Sequence, residues 1–296
     1  MLRRDLLRGF GSLALSIVPA QVASPSTRGR FGDERFAQAI RAAEAKSSGR
    51  LGVAVLDSET AAEFAWRGDE RFPVTSTFKF LLAAAVLAAA DQGRERLDRR
   101  IAIRADDLLE YAPVTGKRVG ADGLTISELC EAIIVWSDNT AANLLLATVG
   151  GPLGLTKFAR SLGDAQFQLD RPETALNEAS PGDVRDTTTP AAMLRDLERL
   201  LLGTVLSTTS RQHLIDWMVA CRTGHEKIRA GLPRNWRCGD KTGAGGYGTN
   251  NDIAIIWPPG RRPIVAAAYL TNTSAALEAS NTALATVGRA IADALP

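Results

Sequence analysis

The chain has little of the two side chains that most often mark an active site: among 296 residues there are two histidines and three cysteines. His213 and His225 stand far apart, and there is no His-Glu-x-x-His and no cysteine pairing of the zinc-binding kind, so a metal centre is not expected. With so little histidine and no Gly-x-Ser-x-Gly elbow, a Ser-His-Asp triad is disfavoured as well. Cys130, Cys221 and Cys238 are odd in number and form no Cys-x-x-Cys; a chain this long needs no disulfide framework, and buried inert thiols are expected. Charge of one sign is also scarce. The net charge is +2, from 35 basic and 33 acidic residues, which lacks the basic stripe of a nucleic-acid binder. Arg94 to Arg100 is interrupted by Glu95 and Asp98 and reads as a solvated segment. No apolar run is long enough to span a membrane, and no internal repeat is present.

What is there begins with a leader. Arg3 and Arg4 precede Leu6-Leu7 and an apolar stretch from about Phe10 to Val22, with small residues such as Ala20 and Ala23 at its end. This pattern reads as an export signal covering residues 1–30 with its linker, by the twin-arginine route on the arginine pair. It implies a periplasmic or secreted mature protein without a stable membrane anchor.

The rest, 45% hydrophobic and 23% charged, suits one large or two intergrown domains. Phe36, Ile40 and Ala43 give residues 33–47 a helical spacing; Leu51 to Leu56 reads as a strand, with Glu63 to Trp66 its hairpin partner. From Lys79 to Ala90 nearly every residue is Ala, Leu or Val, which predicts a helix buried on all sides. Thr125-Ile126-Ser127-Glu128 is a capping box before Leu129 to Val135. Thr140 to Val149 is helical, Thr189-Pro190 opens a helix through Leu202, and Ser207 caps another to about Ala220. Between them, Gln168 to Arg185 has no periodicity, and an aperiodic loop of that length inside a compact unit is usually functional. Strands return at Trp236 to Lys241, Asp252 to Trp257 and Ile264 to Leu270, and Leu277 to Ala292 closes the chain as a helix. Strands at both ends with helices between predict an α/β lobe from 31–74 together with 221–296, an all-helical lobe from 75–220, and a ligand cleft between them.

Four motifs in one order carry the chemistry. Ser76-Thr77-Phe78-Lys79 sets a hydroxyl and an amine one helical turn apart at the start of the buried helix. The lysine reaches the serine oxygen, and burial lowers its pKa toward a range useful for proton transfer. Ser137-Asp138-Asn139 sits in a short loop between helices, where Asp138 or Asn139 can also cap the helix that follows. Glu173 and Asn177 lie on the aperiodic loop, where a carboxylate can hold and deprotonate a water. Lys241-Thr242-Gly243 falls where a predicted strand ends, with Lys241 and Gly243 on one face and Thr242 on the other. Each motif alone is weak, since a Ser-x-x-Lys turns up roughly once by chance in a chain this long. Gly243, Gly245 and Gly248 also fit Gly-x-Gly-x-x-Gly, but a strand follows them rather than a helix, so they read as a hairpin turn and not a phosphate cradle.

Together, and in this order, the motifs resemble those of the class A serine β-lactamases, from about Leu51 to the C-terminus. The resemblance implies the β-lactamase/penicillin-binding transpeptidase-like fold, in which an antiparallel sheet flanked by terminal helices packs on a helical lobe, with the active site between. It implies hydrolysis of penicillins and cephalosporins, hence antibiotic resistance, with no cofactor. Ser76 is then the nucleophile and Ser137 the proton relay to the leaving nitrogen. Asn139 holds the substrate side-chain amide, Asp138 is structural, and Glu173 with Asn177 holds the deacylating water. Lys241 and Thr242 bind the substrate carboxylate. The backbone N–H groups of Ser76 and Ala244 form the oxyanion hole, Tyr111 packs at the cleft mouth, and Arg171 with Asp186 clasps the loop. The acylation base is left open between Lys79 and Glu173. Two departures stand out. Asn250 occupies the place where many members carry a carboxylate-binding arginine, leaving Lys227 or Arg229 to supply that charge. Thr75 and Gly245 fill the positions where some members have a disulfide. Penicillin-binding transpeptidases and single-turnover sensors share part of the set; Glu173-x-x-Leu-Asn177 argues against both. No large exposed apolar stripe is evident, so a monomer is expected.

Overall fold

The computed structural model describes residue 31, residues 33–120 and residues 122–295; the predicted export signal lies outside these. Helix α1 (Glu34–Ser47) starts where the Asp33 carboxylate accepts the Arg35 N–H, and its buried face is Phe36, Ile40 and Ala43. Strands β1 (Arg50–Asp57) and β2 (Ala62–Trp66) form the expected antiparallel hairpin. After the two-residue strand β3 (Phe72–Pro73), a 3₁₀ turn at Thr75–Thr77 leads into α2 (Phe78–Asp91), buried from Phe78 through Ala88. Its uniformly apolar sequence gives it no outward face, so it fills the centre of the larger core.

Strands β4 (Arg100–Ile101) and β5 (Leu124–Thr125) pair beside it. Helices α3 (Ile126–Val135), α4 (Asn139–Thr148), α5 (Gly151–Ser161) and α7 (Thr208–Val219) pack around α2, while α6 (Pro190–Leu201) lies against the sheet and β6 (Thr187–Thr188) pairs with β3. The capping box at Thr125 and Glu128 and the caps at Thr189 and Ser207 are made as their sequences predict. Helix α5 was not anticipated. Gly150-Gly151-Pro152 reads as a break, yet Gly150 supplies the left-handed N-cap at φ 89° and the proline sits in the first turn, where no N–H is required.

The short α8 (Ile228–Gly231) precedes β7 (Arg237–Ala244), β8 (Asn250–Trp257) and β9 (Ile264–Thr271), and α9 (Leu277–Asp293) ends the fold. The five long strands form one antiparallel sheet in the order β2-β1-β9-β8-β7. Helices α1, α8 and α9 pack one face in a second apolar core, and α6 and the larger core cover the other. Strand β7 extends past the predicted end. Lys241, Thr242 and Gly243 lie within it, opposite Ile253, Asp252 and Asn251. The glycines after it form the predicted hairpin turn, in which Gly245 N–H donates to Thr249 O and Thr249 N–H to Gly246 O. Among the described residues no helix is long and apolar enough to cross a membrane. Cys130, Cys221 and Cys238 are buried free thiols; burial raises their pKa values, that of Cys221 to about 11.

Candidate active site

Ser76 sits in the 3₁₀ turn before α2, on a backbone bent sharply by its neighbour. Thr75 is a buried β-branched residue with φ 43°, a conformation such side chains rarely adopt. Asn251 holds it there: the Asn251 amide donates to Thr75 Oγ1 (3.0 Å) and to Pro73 O (2.9 Å). Gly243 of β7 lies against this turn. A Cβ at that position would stand 2.2 Å from Thr75 Oγ1 and 3.3 Å from Ser76 N, so the strand can approach the serine only as glycine.

Lys79 is wholly buried one turn after Ser76. Its Nζ lies 3.0 Å from Ser76 Oγ, 2.6 Å from Asn139 Oδ1, 2.8 Å from Ser137 O and 2.8 Å from Glu173 Oε1. Burial pushes the Lys79 pKa below the usual lysine range, against the pull of Glu173. Lys241 reaches the same point from β7, donating to Ser137 Oγ at 3.0 Å. Its pKa is lowered to about 7, first by burial and then by the charge of Lys79. The Ser137 hydroxyl thus stands between two lysines, 3.4 Å from Lys79 Nζ. Ser137 itself has φ 60°. Asp138 is buried, accepts the Ala141 N–H as the cap of α4, and takes further bonds from Val114 N, Thr115 N and Thr115 Oγ1.

Glu173 comes to the group from the aperiodic loop. Its side chain is fully buried, with Oε1 3.4 Å from Ser76 Oγ and Oε2 accepting from Asn177 Nδ2. The loop is clasped at its base, where Arg171 Nε donates to Asp186 Oδ2 at 2.6 Å while Asp186 Oδ1 accepts the N–H groups of Asp170 and Arg171. At its far side Gly246 N–H donates to Asn177 O (2.8 Å).

Sequence reasoning missed the residue that pins Glu173. Asn143 on α4 accepts the Glu173 N–H at 2.9 Å and donates to the Glu173 carbonyl at 2.8 Å. In the sequence it was one polar position of a helix, and only its appearance two turns from Ser137 could have flagged it. Thr223 was missed also; its hydroxyl hydrogen-bonds that of Thr242.

Above these groups opens a cleft of about 390 Å³ lined by Ser76, Ser137, Asn139, Asn177, Thr242 and Ala244, with Tyr111, 48% exposed, at its edge. The two candidates for the missing arginine separate here. Lys227 lines the cleft, nearly buried, donating to Asn250 Oδ1, Gly243 O and Asn251 O. Arg229 lies outside it, paired with Asp240. Apart from Arg229, every sequence-predicted site residue reaches the cleft, its floor or the clasp of its loop.

A model of the beta-lactamase enzyme family matches residues 35–295. The chain belongs to the class A serine β-lactamase family. It is 40% identical to β-lactamase AER-1 of Aeromonas hydrophila, covering 99% of this chain and 95% of that enzyme. It is 45% identical to β-lactamase CTX-M-8 of Citrobacter amalonaticus, covering 86% and 88%. An ancestral (GNCA) class A β-lactamase superposes with a TM-score of 0.87 at 60% identity, covering 88% of this chain and 100% of that one. The protein is therefore a serine β-lactamase, a hydrolase of the antibiotic-resistance class.

Proposed function

We propose that the enzyme opens β-lactams in the periplasm through an acyl-Ser76 ester that a Glu173-activated water then hydrolyses. The observation that carries this reading is the buried contact of Glu173 Oε1 with Lys79 Nζ at 2.8 Å and with Ser76 Oγ at 3.4 Å. A carboxylate so placed is within proton-transfer reach of the nucleophile and of a water beside it.

In acylation the Ser76 proton passes to Lys79 or, through water, to Glu173, and Oγ attacks the lactam carbonyl. The Ser76 and Ala244 N–H groups stabilise the developing oxyanion; β7 brings Gly243 against the serine turn, which supports that pairing. The C–N bond breaks, and nitrogen takes the Ser137 hydroxyl proton, which is replenished from Lys79 or Lys241. In deacylation Glu173 takes a proton from water held with Asn177, hydroxide attacks the ester, and Ser76 leaves reprotonated. Lys241, Thr242 and Lys227 hold the substrate carboxylate, and Asn139 and Tyr111 its side chain. The mature protein acts as a monomer, exported by its twin-arginine leader.

The test is purified mature protein with benzylpenicillin, following hydrolysis and intact mass together. Continuous turnover with little adduct, abolished in Ser76→Ala, is expected. One equivalent bound without turnover overturns the hydrolytic cycle in favour of a penicillin-binding protein or sensor.

A further inference from the structure

The cleft ends in a directed chain of hydrogen bonds. Lys227 donates to Asn250 Oδ1, Asn250 Nδ2 donates to Asn281 Oδ1 at 2.9 Å, and Asn281 Nδ2 donates to Glu226 Oε2 at 2.9 Å. All four residues line the cleft. An ammonium can only donate and a carboxylate can only accept, so the two ends fix the orientation of both amides between them. Glu226 is therefore the group that turns Asn250, at the arginine position, into an acceptor for Lys227. It is also exposed, and among the described residues it pairs with no lysine or arginine. One end of the cleft thus presents a cation and, two amides away, an anion with no cationic partner.

Resting on the proposed function, in which Lys227 faces the substrate carboxylate, we propose that Glu226 is a specificity-determining residue that favours β-lactams carrying a positive charge beside that carboxylate. In a cephalosporin the carboxylate-bearing ring carbon is bonded directly to the carbon that carries the exchangeable methylene substituent. A pyridinium or ammonium on that methylene makes this end of the substrate a zwitterion. Its two charges match Lys227 and Glu226 in sign and order, whereas a neutral or anionic substituent gains nothing there. The asparagines between keep the protein's own charges from neutralising each other by direct contact.

The matched probes are cephaloridine, with a pyridiniomethyl substituent, and cephalothin, with an acetoxymethyl substituent; their acyl side chains are the same. The readout is the ratio of their kcat/KM values at low salt. Glu226→Gln removes the charge while keeping an oxygen for Asn281. It is expected to lower the cephaloridine-to-cephalothin ratio by about two- to five-fold, what an exposed charge pair is worth, through KM. High salt should lower the wild-type ratio toward that of the variant. Glu226→Lys should lower it further. An unchanged ratio, or an equal loss on both substrates, overturns the proposal and leaves Glu226 a structural support. A wild-type enzyme that turns over neither compound nor benzylpenicillin contradicts the β-lactamase mechanism itself, which is a different failure.

Discussion

Replacing Asn143 with leucine removes both hydrogen bonds to the Glu173 backbone while keeping roughly the same bulk. The structure sets the size of the effect. One bond accepts the Glu173 N–H at 2.9 Å and the other donates to its carbonyl at 2.8 Å, and each has a net worth of about 1 kcal/mol. If that sum of about 2 kcal/mol is lost from the deacylation transition state, the step slows about 30-fold. Acylation through Lys79 does not need Asn143, so by that route the enzyme accumulates as its ester. Stopped-flow hydrolysis of benzylpenicillin should show a burst of about one equivalent followed by a steady rate below wild type by up to about 30-fold, the full factor being reached only where deacylation already limits the wild-type rate. Acid-quenched samples should show mostly adduct mass in Asn143→Leu and little in wild type. Stability should fall as well, by roughly 4 °C in Tm for a domain of this size, leaving the enzyme folded at assay temperature. A variant with lowered Tm but wild-type turnover and no adduct would refute the reasoning, and Asn143 would then brace the loop without positioning the base.

Three further outcomes follow from the same geometry. Lys227→Met should raise KM for carboxylate-bearing β-lactams by at least about tenfold, the worth of a hydrogen bond to a charged group; Arg229→Met should cost stability instead, because Arg229 pairs with buried Asp240 outside the cleft. Lys241 titrates at about 7 in the free enzyme. It loses its charge as pH rises through that value, so KM measured from pH 6 to 9 should climb above pH 7, and a flat profile would contradict its role as carboxylate anchor. Asp196 is wholly buried beside Asp164, with neither oxygen hydrogen-bonded to a donor. Burial and that neighbour raise its pKa, so the folded state holds a proton the unfolded chain releases above about pH 4, and stability is lost as pH rises through that range. Asp196→Asn, whose amide can donate to Asp164, should melt higher than wild type at pH 7, by an amount that shrinks toward pH 4.

The parts of the fold readable in the sequence were those where local chemistry alone decides. The uniformly apolar run after Lys79 could only be a buried helix, and Thr125 with Glu128 could only cap one. The expected strand stopped at Lys241, short of the end of β7, because Thr242, Gly243 and Ala244 lead into a glycine-rich stretch of poor strand formers. These three are held in the ladder by β8 on one side, while the close packing of Gly243 on the serine turn excludes a side chain. Helix α5 hid behind two glycines that favour turns until a packed neighbour fixes them. The motif residues of the site were legible because each announces a chemical type. What joins them was not: Glu173 meets Lys79 across 94 residues of chain (173 minus 79), and Asn143 meets Glu173 through backbone atoms whose identity no side chain reveals. Lys227 and Arg229 are two positions apart and carry the same charge, yet a turn of chain puts one in the cleft and the other against Asp240.

The most direct test of the central claim is Glu173→Gln, mixed with benzylpenicillin and followed by intact mass over time. The account predicts one covalent adduct on Ser76 that persists long after wild-type enzyme has consumed its substrate, with no adduct in the Ser76→Ala, Glu173→Gln double variant. Turnover by Glu173→Gln at the wild-type rate, with no lasting adduct, would show that another group activates the deacylating water.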